Sequence, residues 1–97
     1  MHDKSTKDYL NFENRDLYVE LGEHIAFYRK RAHLTQKELA SQIGIARTYL
    51  NRIESSNVVQ SFSLEVLFNI SRELNVNPVH FFEPYPKYVK KENIDFP

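Results

Sequence analysis

Residues 35–54 read TQKELASQIGIARTYLNRIE, and this stretch decides the fold of the chain. Thr35 and Glu38 have the spacing of a capping box, so a helix is expected to begin at Gln36. Gly44 lies where this helix can end, because glycine adopts the left-handed conformation without the steric cost of a side chain. A second short helix is expected to follow this glycine.

The second helix, ARTYLNRIE, has one apolar face and one polar, basic face. Leu50 and Ile53 have helical spacing and are expected to point into the core. Two short helices joined by a tight turn with glycine, the second helix polar on its outside, are typical of a DNA-binding helix-turn-helix. The residues expected to face the major groove are Ala46, Arg47, Thr48, Asn51 and Arg52.

These residue types suit contacts with base edges. Arginine can donate two hydrogen bonds to guanine, asparagine can pair bidentately with adenine, and alanine or threonine methyls can contact the thymine methyl. Each residue alone also fits a solvated helix surface, but Arg47 and Asn51 together favour base contacts. The role of Arg52 stays open between DNA and an intramolecular partner.

A set of residues in and just before this stretch matches a known sequence pattern: Leu34, Thr35, Gln36, Leu39, Ala40, Gly44, Tyr49, Leu50, Arg52, Ile53 and Glu54. In these residues the chain resembles the phage-repressor/Cro-like family, the XRE-type transcriptional regulators. The resemblance implies an ion pair between Arg29 and Glu54, and a phosphate contact for Gln36 at a helix N-terminus.

The loop after Glu54 departs from the family pattern. The family often has a glycine, a basic residue and a proline here, whereas residues 55–62 read SSNVVQSF. Hydroxyl, amide and backbone N–H groups can still bind phosphate. The departure therefore bears on how tightly the loop holds a DNA backbone, and not on whether the fold forms.

Three further helices are expected around this motif. The first covers 17–31 and carries an apolar stripe of Leu21, Ile25 and Tyr28. The next begins after an N-cap at Ser63 and ends at Asn75, and a last short helix follows the Asn77-Pro78 pair. The apolar residues expected to face the core from these last two helices are Leu64, Leu67, Ile70, Leu74, Phe81 and Phe82.

These elements predict an all-α, five-helix, lambda-repressor-like domain at 17–83. A polar arm is expected at 1–16 and a short tail at 84–97, where the alternation in KYVKK allows a short strand. A chain of 97 residues is long enough to form only one small hydrophobic core. The first residues contain no signal peptide, and no apolar run approaches the length of a membrane span, so a soluble cytoplasmic protein is expected.

Composition limits the chemistry. The chain has no cysteine, only two glycines and four scattered histidines, which are expected at the surface. Without a phosphate-binding glycine loop, a nucleophile elbow or paired metal ligands, we expect no enzyme, no cofactor and no metal site. The net charge is zero, but residues 20–60 hold six basic and four acidic residues, a modest local excess that suits DNA.

Two classes of function remain open. The first is a sequence-specific DNA-binding regulator, expected to be a repressor that binds a palindromic operator as a homodimer. The second is an antitoxin-like or other protein-partner-binding module with the same fold. A partner surface could use apolar residues expected outside the core, namely Val58, Val59, Val66 and Phe68.

Overall fold

The structure is a computed structural model that describes residues 14–83, a range that contains helices and no strand. The all-α prediction is confirmed for this part of the chain, whereas most of the predicted arm and all of the tail lie outside it. The elements are α1 (Arg15–Arg31), α2 (Gln36–Ile43), α3 (Arg47–Glu54), α4 (Leu64–Leu74) and a 3-10 helix (Pro78–Phe82).

The last predicted helix is a short 3-10 helix, so the prediction of five α-helices is not confirmed. Asn77 caps it, with its side-chain oxygen accepting a hydrogen bond from the Val79 N–H at 3.0 Å. The His80 N–H then donates to the Asn77 carbonyl at 2.9 Å, which is 3-10 pairing over three residues. The segment has only five residues, and the tighter 3-10 helix is found mainly in such short pieces.

The local signals around the helix-turn-helix are confirmed. The Thr35 hydroxyl accepts from the Glu38 N–H at 3.0 Å, and the Thr35 N–H donates to the Glu38 carboxylate at 2.9 Å, which completes the capping box. Gly44 has φ 76° and ends α2 in the left-handed region. Ala46 then precedes α3 in an extended conformation, which turns the chain into the second helix.

A single apolar core connects the four α-helices and the 3-10 helix. Leu39, Ala40, Leu50 and Ile53 are buried as predicted, so the inner faces of α2 and α3 meet in this core. The complete set of buried apolar residues is Ile25, Leu39, Ala40, Leu50, Ile53, Leu67, Ile70, Leu74 and Phe81.

Three burial predictions are wrong, for tertiary reasons. Leu64 is 62% exposed because helical side chains lean toward the N-terminus, and this first residue of α4 leans past the packed turn. Phe82 is 60% exposed because neighbouring residues of a 3-10 helix point about 120° apart and Phe81 takes the inward direction. His24 is buried, and its Nδ1 lies 2.6 Å from the Phe81 carbonyl oxygen.

At Gly22, α1 lies in close contact with the C-terminal end of α3. A Cβ atom here would overlap with the Ile53 carbonyl oxygen and lie 3.3 Å from the Glu54 Cα. The residue is helical, so glycine costs about 1 kcal/mol relative to alanine. Its absent side chain is therefore what lets the two backbones touch.

We expect Gly22→Ala to destabilise the fold by ~1–3 kcal/mol, although alanine favours helix, because the methyl group must displace backbone atoms of α3. Urea unfolding followed by circular dichroism measures the change. Lys30→Ala, at an exposed position of the same helix, is the control and should be close to neutral. Equal or greater stability of Gly22→Ala would contradict the close crossing.

Candidate nucleic-acid interface

The outer face of α3 carries the residues that the sequence places toward DNA. Ala46, Arg47, Thr48, Asn51 and Arg52 are all exposed. On the opposite face, the buried leucine and isoleucine of α3 hold the helix against the core. The polar residues of this face are therefore exposed to solvent and take no part in the packing of the core.

Asn51 is joined to α2 through its side chain. Its Nδ2 donates a hydrogen bond to Gln36 Oε1 at 3.2 Å, and Gln36 Nε2 donates in turn to Glu54 Oε1 at 2.9 Å. Gln36 is the first residue of α2 and is half-buried. Gln36 and Asn51, which were predicted as DNA contacts on different helices, are therefore joined to each other by a hydrogen bond, in a hydrogen-bonded chain that continues to Glu54.

The Glu54 end of this chain is an ion pair, and it is the pair that the resemblance implies. Arg29 Nε and Nη2 donate to the two carboxylate oxygens of Glu54 at 2.8 and 2.9 Å. Arg29 Nη1 also donates to the Leu34 carbonyl at 2.7 Å. The two charged side chains are only 9% and 4% exposed, so the pair is largely dry.

Arg52 has an intramolecular partner that the sequence analysis did not identify. Its Nε donates to Gln60 Oε1 at 2.8 Å, and Gln60 Nε2 donates to the Ser61 carbonyl at 3.0 Å. The contact connects α3 with the loop that follows it. Among the described residues, Arg47 and Thr48 have no side-chain hydrogen bond or ion pair, which leaves their polar groups available to a ligand.

Two residues that support α3 were not identified from the sequence. Gly22 lies inside a predicted helix, and an interior glycine is a signal for close packing that could have been used. The sequence gives no such signal for Gln60, because an amide in a polar loop could bond with any of many different side chains. Its role is visible only from the fold.

No group of three histidine or carboxylate side chains in residues 14–83 is placed to hold a metal ion. Within the same range, no helix combines the length and the apolar character needed to cross a bilayer.

Comparison with known families gives a match to a DNA-binding motif family. A family model described as helix-turn-helix matches residues 25–81, which is more than half of the chain. The matched range contains Arg29, the two helices of the motif and Glu54, and it ends at Phe81 of the core. No curated protein matches the chain in sequence.

We expect Arg29→Met to cost ~3–5 kcal/mol of unfolding free energy, because it leaves the Glu54 carboxylate buried without its cation. The double variant Arg29→Met/Glu54→Met should lose less than the single variant, since it removes the buried charge as well. Chemical denaturation measures both.

The matched control is Arg72→Met on α4, because the Arg72 side chain is exposed and hydrogen-bonds only to Asn69 among the described residues. It should change stability by less than ~1 kcal/mol. If Arg29→Met were as mild as this control, the ion pair would not be holding α1 to α3.

Proposed function

The chain belongs to the XRE-type helix-turn-helix family of DNA-binding transcription regulators, and we propose that it is a repressor that binds a palindromic operator as a homodimer. The observation that carries the proposal is the exposed polar face of α3, backed by a hydrogen-bonded chain that runs to a buried ion pair. The repressor role rests on the resemblance to phage repressors.

Arg47 is the residue that we assign to a guanine. It is the first residue of α3, exposed, and without a side-chain partner among residues 14–83. The N-terminal residues of a recognition helix are those that reach base edges. An unpaired guanidinium there can donate both hydrogen bonds of the guanine O6/N7 pattern.

Asn51 lies one helical turn further along α3 and is assigned to an adenine. Its amide nitrogen has two hydrogens, of which Gln36 accepts one. The other hydrogen and the carbonyl oxygen suffice for the bidentate adenine contact. The Gln36 contact limits the rotation of the amide, so less side-chain entropy is lost on binding.

Gln36 is assigned to a phosphate at the N-terminus of α2. Its amide has one hydrogen left after the contact with Glu54, and the first N–H groups of a helix have no partner inside the helix. Together with the partial positive charge of this helix end, they favour an anion. Arg52, fixed by Gln60 through Nε, retains its Nη groups for a second phosphate.

The proposal of a dimer follows from the length of α3. Eight residues of α-helix span about 12 Å, so one copy contacts only a few base pairs. A two-fold symmetric dimer doubles the site, and its symmetry matches a palindrome. The half-sites should then lie about one helical turn apart.

We expect selection from random duplex DNA to enrich one palindromic sequence, and Arg47→Ala to bind it ~1–3 kcal/mol more weakly with relaxed preference at one base of each half-site. Arg72→Ala is the control, because it removes the same charge from an exposed position on another helix. Binding should fall steeply with salt, as counterions are released. If no sequence were enriched and Arg47→Ala bound like the wild type, the DNA contact would be refuted in favour of a partner-binding module.

Gln36→Ala tests the chain of hydrogen bonds behind α3. Loss of a phosphate contact alone weakens binding equally on every sequence. Because Gln36 also holds Asn51, we expect an additional loss of preference at the base that Asn51 contacts. Titration of the selected site, and of DNA variants at each base position, separates the two effects. Equal weakening on every sequence would show that Asn51 reads its base without the hydrogen bond to Gln36.

The dimer is tested by sedimentation with and without the selected duplex. We expect two copies on a full site, and an affinity for a single half-site that is lower by at least ~100-fold, as expected when two linked contacts become one. A complex with one copy on the full site would refute the dimer and leave the DNA contacts standing.

A further inference from the structure

An apolar groove lies away from the α3 face, between α1, the start of α4 and the 3-10 helix. Its volume is about 360 Å³. Among the apolar side chains that line this α1–α4 groove are Leu17, Tyr18, Leu21, Phe62, Leu64 and Phe82. The groove is independent of the proposed DNA contacts, none of which uses these residues.

Three of the five large apolar side chains that are exposed in residues 14–83 line this groove. Leu17, Leu64 and Phe82 are 58%, 62% and 60% exposed, and only two other large apolar side chains in residues 14–83 are similarly open. Contiguous exposed apolar surface of this kind marks a place where another segment or molecule binds.

The C-terminal segment starts at this groove. Phe82 lines it, Glu83 is the last described residue, and residues 84–97 follow. Tyr88 lies five residues beyond Glu83, so an extended chain could carry it up to ~17 Å, enough to reach across a groove of this size. No long loop has to be closed for the segment to bind there.

Charge also favours this segment. Glu20 lines the groove, and an acidic residue is next in sequence to each of the three exposed apolar residues of the groove: Asp16 to Leu17, Glu65 to Leu64 and Glu83 to Phe82. Residues 84–91 read PYPKYVKK, with three lysines and no acidic residue. The other terminal segment, residues 1–13, has two lysines and three acidic residues, so it is the poorer match.

We propose that residues 84–91 bind in the α1–α4 groove of the same chain. Tyr85 and Tyr88 supply aromatic rings to the apolar wall, and the lysines are attracted by the Glu20 carboxylate, which lines the groove. Tyrosine suits such a position, because it buries a large apolar ring while its hydroxyl stays in water.

Spin labelling of the full chain tests the proposal. The chain has no cysteine, so Asn93→Cys provides a single site for a nitroxide just beyond the docked residues. The amide NMR signals of Tyr18 and Leu21 on α1 should lose most of their intensity, and reduction of the nitroxide should restore them. The amides of α2 should be much less affected.

Two variants at exposed positions of α4 make a matched pair. Leu64→Asp places a charge in the groove and should restore the Tyr18 and Leu21 signals in the labelled protein. Phe68→Asp adds the same charge to the same helix at a residue that does not line the groove, and should leave the signals weak.

Three outcomes would overturn the proposal. Tyr18 and Leu21 signals that stay strong in the labelled protein would mean that the segment does not dock. Weakening only in a mixture of spin-labelled and isotope-labelled copies would assign the groove to a second copy. Weakening from a label at Ser5→Cys, and not at Asn93→Cys, would assign it to residues 1–13.

Discussion

The carboxylate of Glu54 is the group on which the placement of α3 depends. It accepts two hydrogen bonds from Arg29 and one from Gln36, at a junction of three segments of the chain. A charge buried this deeply is tolerated only when such donors surround it. Because hydrogen bonds are directional, the same contacts that satisfy the charge also set the orientation of α3 relative to α1 and α2. The backbone contact at Gly22 sets how close α1 and α3 come.

Much of the fold could be predicted because its signals are local. The capping box, Gly44 and the left-handed Asn75 each act within a few residues, and each lies where the sequence placed it. The errors at Leu64 and Phe82 have the opposite origin. Periodicity gives the direction of a side chain around its own helix, but whether a neighbouring element covers that direction depends on the packing of the whole chain.

The candidate interface likewise has features that the sequence predicts and features that only the fold identifies. The exposure of Arg47 and Asn51 follows from helical period, so the sequence predicts it. The Arg29–Glu54 pair was inferred from resemblance alone, since the two residues are far apart in the sequence and many acidic partners would suit an arginine. The contacts of Asn51 with Gln36, and of Arg52 with Gln60, join amides and a guanidinium that have no unique complement, so only the fold identifies them.

The hydrogen bonds of the α3 face have a consequence for how this protein can diverge. Arg47 and Thr48 have no side-chain partner among the described residues, so either can be replaced in one step while the fold stays intact. Asn51 donates a hydrogen bond to Gln36, and a new side chain at position 51 that cannot donate would leave the Gln36 amide oxygen without this bond. Arg47 and Thr48 can therefore change one at a time without disturbing the fold, whereas a change of Asn51 is expected to occur together with a substitution of Gln36 on α2.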